Sequence, residues 1–366
     1  MTEPQAIKRH DPLVRIVRRA EMPAGRVALL AGLSLVLGIL VGALFILLLG
    51  YNPAEVYAAI VKGAFRSKLA VQGTVKIAIP LLITSLGLSL AFKMKFWNIG
   101  GEGQIIMGAI AATYFGVFHG DWPHWLLLAA MLLAGMIGGG LWGLIPAFFK
   151  TRFGTNETLL TLMLNYIALY MIKFLREGPW RDPTSTAFPQ IAMFGDNARL
   201  DNVFGVHAGW ILALVLVALV FVYTRYTKHG FEIAVVGESE NTARYAGMNV
   251  KKIVMRTMFI SGGICGIAGM CQVAGTAYTL SDGVTGGVGF TAIIVAWLAR
   301  LNPFVIVVVT ALFSILEKGS SVMQSTFGLS SSVSQILQGI ILFVVLAMDF
   351  FTRYTLAFRK KEAKEA

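Results

Sequence analysis

The chain has 366 residues, of which 56% are hydrophobic and 14% charged, with a net charge of +12 from 31 Lys plus Arg against 19 Asp plus Glu. A soluble domain carries roughly 25% charged residues, so a water-soluble globular fold is excluded. The excess of cations could still mean nucleic acid, and where they fall along the chain decides that question.

Residues 1–26 are polar and basic and enter a long apolar run without a small-residue cleavage site. This predicts a cytoplasmic segment before an uncleaved first transmembrane helix, not a signal peptide. A span needs about 20 mostly apolar residues. On that rule the predicted spans are 27–50, 74–92, 99–118, 125–149, 158–174, 210–223, 253–274, 290–298, 304–316 and 333–348. The eighth and ninth are short, which predicts a broken helix or hairpin there. The expected fold is all-α: a polytopic membrane helical bundle of about ten transmembrane helices, some short or broken, with both termini cytoplasmic. The membrane domain would cover 27–349 and a basic tail 350–366.

With these spans, 22 of the 31 cations fall on the side of the termini and nine on the other. Positive charge marks cytoplasmic loops, so the surplus sets a topology and a nucleic-acid partner is not expected. Residues 54–66 are amphipathic and predict a helix along the outer interface. Residues 176–207 form the longest outer loop, which reads either as a solvated cap or as a docking surface for an external partner. Cys265 and Cys271 share one apolar stretch but point to different faces of a helix, as small core side chains. The five histidines lie outside the apolar runs and do not cluster, so no metal site is expected.

Four motifs stand out in chain order. Asn98-Ile99-Gly100-Gly101-Glu102-Gly103-Gln104 places three glycines around a carboxylate, which a lipid-facing helix does not accommodate. It reads either as opened backbone lining a cavity, with Asn98, Glu102 and Gln104 as hydrogen-bonding groups, or as a tight cytoplasmic turn capped by Asn98. In the fifth span Thr158, Thr161 and Asn165 sit at i, i+3 and i+7 on one stripe. Asn165, about halfway across, faces either the passage or a neighbouring helix as an interhelical hydrogen bond. The segment 237–247 holds Glu238, Asn241, Arg244, Tyr245 and Gly247. Asn241 is expected to cap a short helix that Gly247 ends in the left-handed conformation. Gly286-Gly287-Val288-Gly289-Phe290 leads into a half-length helix that Asn302-Pro303 interrupts, a pattern of discontinuous transporter spans. The glycines at 135–143 and 262–269 read as close-packing faces.

What is missing also informs. No phosphate loop, nucleophile elbow, zincin helix or carboxylate pair occurs, so no catalytic residue and no cofactor is expected. Glu102 is the one carboxylate inside a predicted span. The sequence presents a pathway without an energy source.

At these motifs the chain resembles permease subunits of ATP-binding-cassette (ABC) importers, in the group serving ribose, branched-chain amino acids and nucleosides. The residues 98–104 and 156–166 resemble the two signatures of the nucleoside-type, basic-membrane-protein-associated members. Gly289-Phe290 through Leu298 with Pro303 is shared more broadly, with Thr291 and Ala296-Trp297 departing from that pattern. The resemblance spans about 80–349. It implies a bacterial inner-membrane permease, itself not an enzyme, for a nucleoside or similar small polar solute, with a simple sugar or branched-chain amino acid as the alternative. It implies a separate ABC ATPase docked on 238–247, a second permease subunit that is a related different chain, and an extracytoplasmic substrate-binding protein, within membrane lipid. Asn98, Glu102, Gln104, Thr158, Thr161, Asn165 and Phe290 are the pathway candidates. An ion-coupled secondary transporter using Glu102 is the competing class.

Overall fold

The computed structural model describes residues 14–18, 24–186 and 188–358. Most of the expected segment 1–26 and the end of the basic tail, 359–366, lie outside the described residues. The chain divides into two compact units, one of residues 1–56 with 335–366 and one of residues 57–334. In the first, the strand β1 (Val14–Arg18) pairs antiparallel with a strand at Tyr354–Phe358. Its helix α1 (Ala24–Leu48) brings Gly38 against the backbone of Ile341.

The second unit holds the rest of the chain in helices α2 (Pro53–Phe65), α3 (Lys68–Lys93), α4 (Gly101–Phe118), α5 (His124–Phe153), α6 (Glu157–Glu177) and α7 (Gly209–Tyr226). Then follow α8 (Lys228–Glu238), α9 (Glu240–Tyr245), α10 (Val250–Gln272), α11 (Val288–Leu298), α12 (Pro303–Phe327) and the start of α13 (Ser331–Arg353). Local chemistry sets many of the ends. Ser67 caps α3 through Ala70 N–H and Asn156 caps α6 through Leu159 N–H. Asn302 caps α12 with Pro303 in its first turn, where the missing N–H costs nothing.

Each of the ten predicted segments falls on a helix. Among the described residues six helices are long and apolar enough to cross a membrane: α3, α5, α6, α7, α10 with its extension, and α12. The other four segments fall on α1, α4, α11 and α13. The ninth segment departs from expectation: it is not short. α12 runs for 25 residues, through Glu317 and Lys318. The predicted segment ends at the charges, but the helix runs on past them, and Ser314 and Ser320 donate to the carbonyls of Thr310 and Glu317 within it. The eighth segment is short as expected, 11 residues in α11. Residues 54–66 do form an amphipathic helix: Ile60, Gly63 and Ala64 of α2 are buried, and Ile60 and Gly63 pack on Gly319 and Val322 of α12.

α3 and α10 make the centre, with 78% of their apolar windows buried against 28% for α5, α6 and α7. The glycine faces explain how α10 gets there. A Cβ on Gly266 would lie 2.0 Å from the Gly135 carbonyl oxygen, and one on Gly139 2.3 Å from that of Gly262. α4, α5 and α10 thus touch backbone to backbone, where dispersion and close approach replace the hydrophobic effect. Cys265 and Cys271 are both buried and unbridged.

The long loop after α6, expected on the outer side, is built, not loose. After α6, an isolated bridge joins Arg181 and Ile191, and a two-residue hairpin pairs β2 (Asn202–Val203) with β3 (Val206–His207). Phe194 is buried, its N–H donates to the Tyr278 carbonyl, and Leu200 N–H donates to that of Ala274. Arg176 pairs with Asp282 at 2.8 Å. The loop is pinned to the segment after α10, which passes through a π-helical turn at Val273–Ala277.

Candidate functional site

The turn between α3 and α4 begins at Lys95, which is held at φ 57°, and passes into a buried polar knot. Asn98 is fully buried, and its Oδ1 accepts from Gly100 N–H at 3.0 Å. Its amide and that of Gln104 face each other at 3.2 and 3.3 Å. The cap position of α4 is Gly100, with no side-chain cap, so Asn98 braces the turn from two residues before the cap instead of capping it.

The α6 stripe meets this turn. Thr161 Oγ1 accepts from Ile99 N–H at 3.2 Å, and Asn165 Nδ2 donates to the Ile99 carbonyl at 2.9 Å. Asn165 Oδ1 accepts from Gly103 N–H at 2.9 Å. A helix start leaves four N–H groups without partners, and here one of them, on α4, is satisfied from another helix. The two sequence motifs are therefore two halves of one hydrogen-bonded junction. Thr158, one turn nearer the α6 start, stays half-buried. Glu157 pairs with Lys150 at 2.8 Å and ties the end of α5 to the start of α6.

Glu102 turns the other way. One carboxylate oxygen accepts from Gly289 N–H at 2.7 Å and the other from Gly287 N–H at 3.2 Å. The Thr285 hydroxyl adds a third hydrogen bond. These N–H groups belong to the start of α11, where a helix dipole favours negative charge. Gly287 sits at φ +80°, and a Cβ on Gly289 would lie 2.3 Å from Glu102 N, so both glycines are required by the approach. α4 is thus clamped between α6 and α11. Phe290 follows with 44% of its surface exposed.

Three features escaped the sequence reading. Thr285 carried no signal, since its partner is distant in the chain. Trp297, noted only as bulky for its position, stacks on Trp97 with centroids 5.3 Å apart and planes 17° apart, beside Phe92. His207 was one of five scattered histidines. It is fully buried, with its ring pressed between Gly209 and Gly275, and burial, with the nearby Lys76 charge, pushes its pKa down to about 4. Its position at the end of the loop after α6, just before an apolar run, was the available hint.

At the other end lies the segment 238–247. α9 is six residues long and is capped by Ser239, whose Oγ accepts from Thr242 N–H. That corrects the expected cap: Asn241 is already inside the helix, because Ser239 has the extended backbone a cap needs. Gly247 does end it at φ +75°. Ala243 is its buried anchor, Arg244 pairs with Glu240 at 3.4 Å, and Tyr245 is 93% exposed. Glu238 ends α8, whose Glu232 is held below the usual carboxylate range chiefly by its bond to Arg256 at 2.8 Å. That bond locks α8 to α10.

Among the described residues no group of three or more His, Cys, Asp or Glu is placed to hold a metal. The site offers buried amides, one carboxylate committed to backbone N–H groups, and an exposed short helix. This arrangement can position helices and transmit movement; it presents no nucleophile.

Comparison with known proteins follows the same lines. A family model described as a permease component of branched-chain amino acid transport systems matches residues 70–346. The chain is 32% identical to a guanosine ABC transporter permease protein of Bacillus subtilis, over 90% of this chain and 96% of the relative. It is 29% identical to a glucose ABC transporter permease protein of Haloferax volcanii, over 88% of each. A nucleoside ABC transporter permease protein of Lactococcus lactis is 29% identical, over 86% of this chain and 89% of the relative.

Proposed function

This chain belongs to the family of branched-chain amino acid transport system permease components, and from that premise we propose that it carries a nucleoside or similar small polar solute across the bacterial inner membrane. The nucleoside reading is supported by likeness to the guanosine and nucleoside permeases. Likeness to the glucose permease supports a simple sugar as the second reading. In the proposal the chain crosses the membrane about ten times with both termini cytoplasmic. It works beside a second, related permease, receives cargo from an extracytoplasmic binding protein, and takes its energy from a separate ATPase.

The observation that carries this reading over an ion-coupled transporter is the commitment of Glu102. Both of its oxygens accept backbone N–H groups of α11, so this carboxylate is a helix clamp and is not free to hold a coupling ion. Asn98, Gln104, Thr161 and Asn165 are likewise spent on the junction and position the pathway. Thr158 and Phe290, which keep open surface, face it. The exposed Arg244 and Tyr245 on α9, beside Glu238, Asn241 and Gly247, receive the ATPase. Its closure moves α9, and Gly237, packed on the Lys93 carbonyl, passes the movement to the end of α3.

The test is uptake of labelled guanosine into proteoliposomes holding the complete importer, with and without the ATPase. ATP-dependent uptake competed by other nucleosides is expected. Uptake that persists without the ATPase overturns the reading, and competition by glucose alone selects the sugar.

A further inference from the structure

A groove of about 480 Å³ opens where the start of α3 meets the outer hairpin and the start of α7. Its size lies within the range of about 300–1,000 Å³ typical of ligand pockets. Val71 and Val75 supply one wall; Val203, Phe204 and Val206 supply the other; Trp210 closes the end. The polar lining is Lys68 and Gln72, and Gln72 is engaged, donating through Nε2 to the Phe204 carbonyl at 2.9 Å. Inside the slot Lys68 is the one lining donor left over, too little to hold a polar solute. The occupant is a hydrocarbon.

Several features identify which hydrocarbon. Lys68 and Trp210 stand at the first turns of two helices long and apolar enough to span, which is headgroup depth. Phe204 is held at φ 58° with 84% of its surface exposed, its ring 6.4 Å from that of Trp210. A bulky residue in the left-handed region is strained, and the hairpin keeps it there with its ring beside Trp210. Lys62 and Arg66 precede Lys68, all three are exposed, and none forms an ion pair among the described residues. An oily slot lined by the exposed cation Lys68, with Lys62 and Arg66 just before it in the chain, complements a hydrocarbon chain that ends in an anion. We propose that the groove holds one acyl chain of an anionic glycerophospholipid, with the phosphate on Lys68 and Arg66 beside it.

The test uses the full chain in nanodiscs of phosphatidylcholine into which brominated phosphatidylglycerol or brominated phosphatidylcholine is titrated. Bromine quenches indole on contact, and the difference between the protein and W210F isolates Trp210 from the other six tryptophans. Quenching of Trp210 is expected at about fivefold lower mole fraction of the anionic lipid, which corresponds to the ~1 kcal/mol that one cation near the headgroups contributes. Lys68→Gln should remove that preference at unchanged thermal midpoint, with Arg66→Gln as the second variant should the first misfold. Val75→Phe, which narrows the slot, should lower Trp210 quenching by both lipids. Equal quenching by the two lipids at every mole fraction would reduce the groove to ordinary lipid contact and overturn the proposal. Absence of Trp210 quenching by either lipid would also overturn it, and would mean that protein covers the groove.

Discussion

The carboxylate of Glu102 accepts the backbone N–H of Gly289 at 2.7 Å, joining residues 187 positions apart. This bond fixes a short helix, α11, against the start of α4, and α4 is held from its other side by Asn165. A passage that alternates between two openings needs elements that keep their internal geometry while they move together. In the proposed function, the junction of α6, α4 and α11, bonded from both sides of α4, serves as such a unit.

Replacing Glu102 with Ala strands two N–H groups at the start of α11. Hydrogen bonds to charged groups are worth about 1.5–3 kcal/mol each, so E102A should lose that order of stability along with transport. Glu102→Gln keeps acceptor oxygen and should retain part of both. Thermal unfolding and ATP-driven uptake measured on the two variants check this. Loss of an ion gradient dependence in E102Q, with the ATPase absent, would instead favour the secondary-transporter class.

Gly266→Ala would set a Cβ 2.0 Å from the Gly135 carbonyl oxygen, a backbone atom that cannot rotate away. Overpacking of this kind costs about 1–3 kcal/mol or more, and a lowered thermal midpoint is expected. Gly283→Ala, with nothing within 4 Å of the added carbon, is the control and should melt like the parent.

His207 has an ordinary pKa near 6.5 when unfolded and about 4 in place. The unfolded chain therefore binds the proton first, and stability is complete above pH 6.5 and falls as pH drops toward 4. At about 1.36 kcal/mol per pH unit the loss over that interval is roughly 3 kcal/mol. Unfolding followed from pH 7 to pH 4.5 should show this slope, and His207→Asn should flatten it even at a lower baseline. A flat profile in the parent protein would contradict the buried neutral ring.

Arg244→Glu reverses a charge on a side chain 64% exposed, so the fold should melt unchanged. If α9 is the ATPase contact, permease-stimulated ATP hydrolysis should fall severalfold. Unchanged stimulation would place the contact elsewhere.

Much of the fold was legible because membrane helices announce themselves by apolar length and their packing faces by glycine. The stretches around Gly139 and Gly266 were readable as close contacts without knowing what they touched. The apolar rule stops at charge and so cut α12 short, although the helix runs on through Glu317 and Lys318 to Phe327. The expected cap, Asn241, lies two residues inside α9, because the extended backbone a cap needs falls at Ser239, and the pattern of residue types does not encode that conformation.

The site divides along the same line. Residue types and spacing by themselves determined that 98–104, 158–165 and 286–290 are polar or glycine-rich interruptions in an oily chain. Only the tertiary structure decided that Asn165 serves Ile99 and Gly103, and that Glu102 serves Gly287 and Gly289. Helical periodicity reports which face a side chain occupies. It carries no record of which distant backbone N–H will be left unpaired there, and that vacancy, created when α4 meets α6 and α11, is what assigns each polar group its partner.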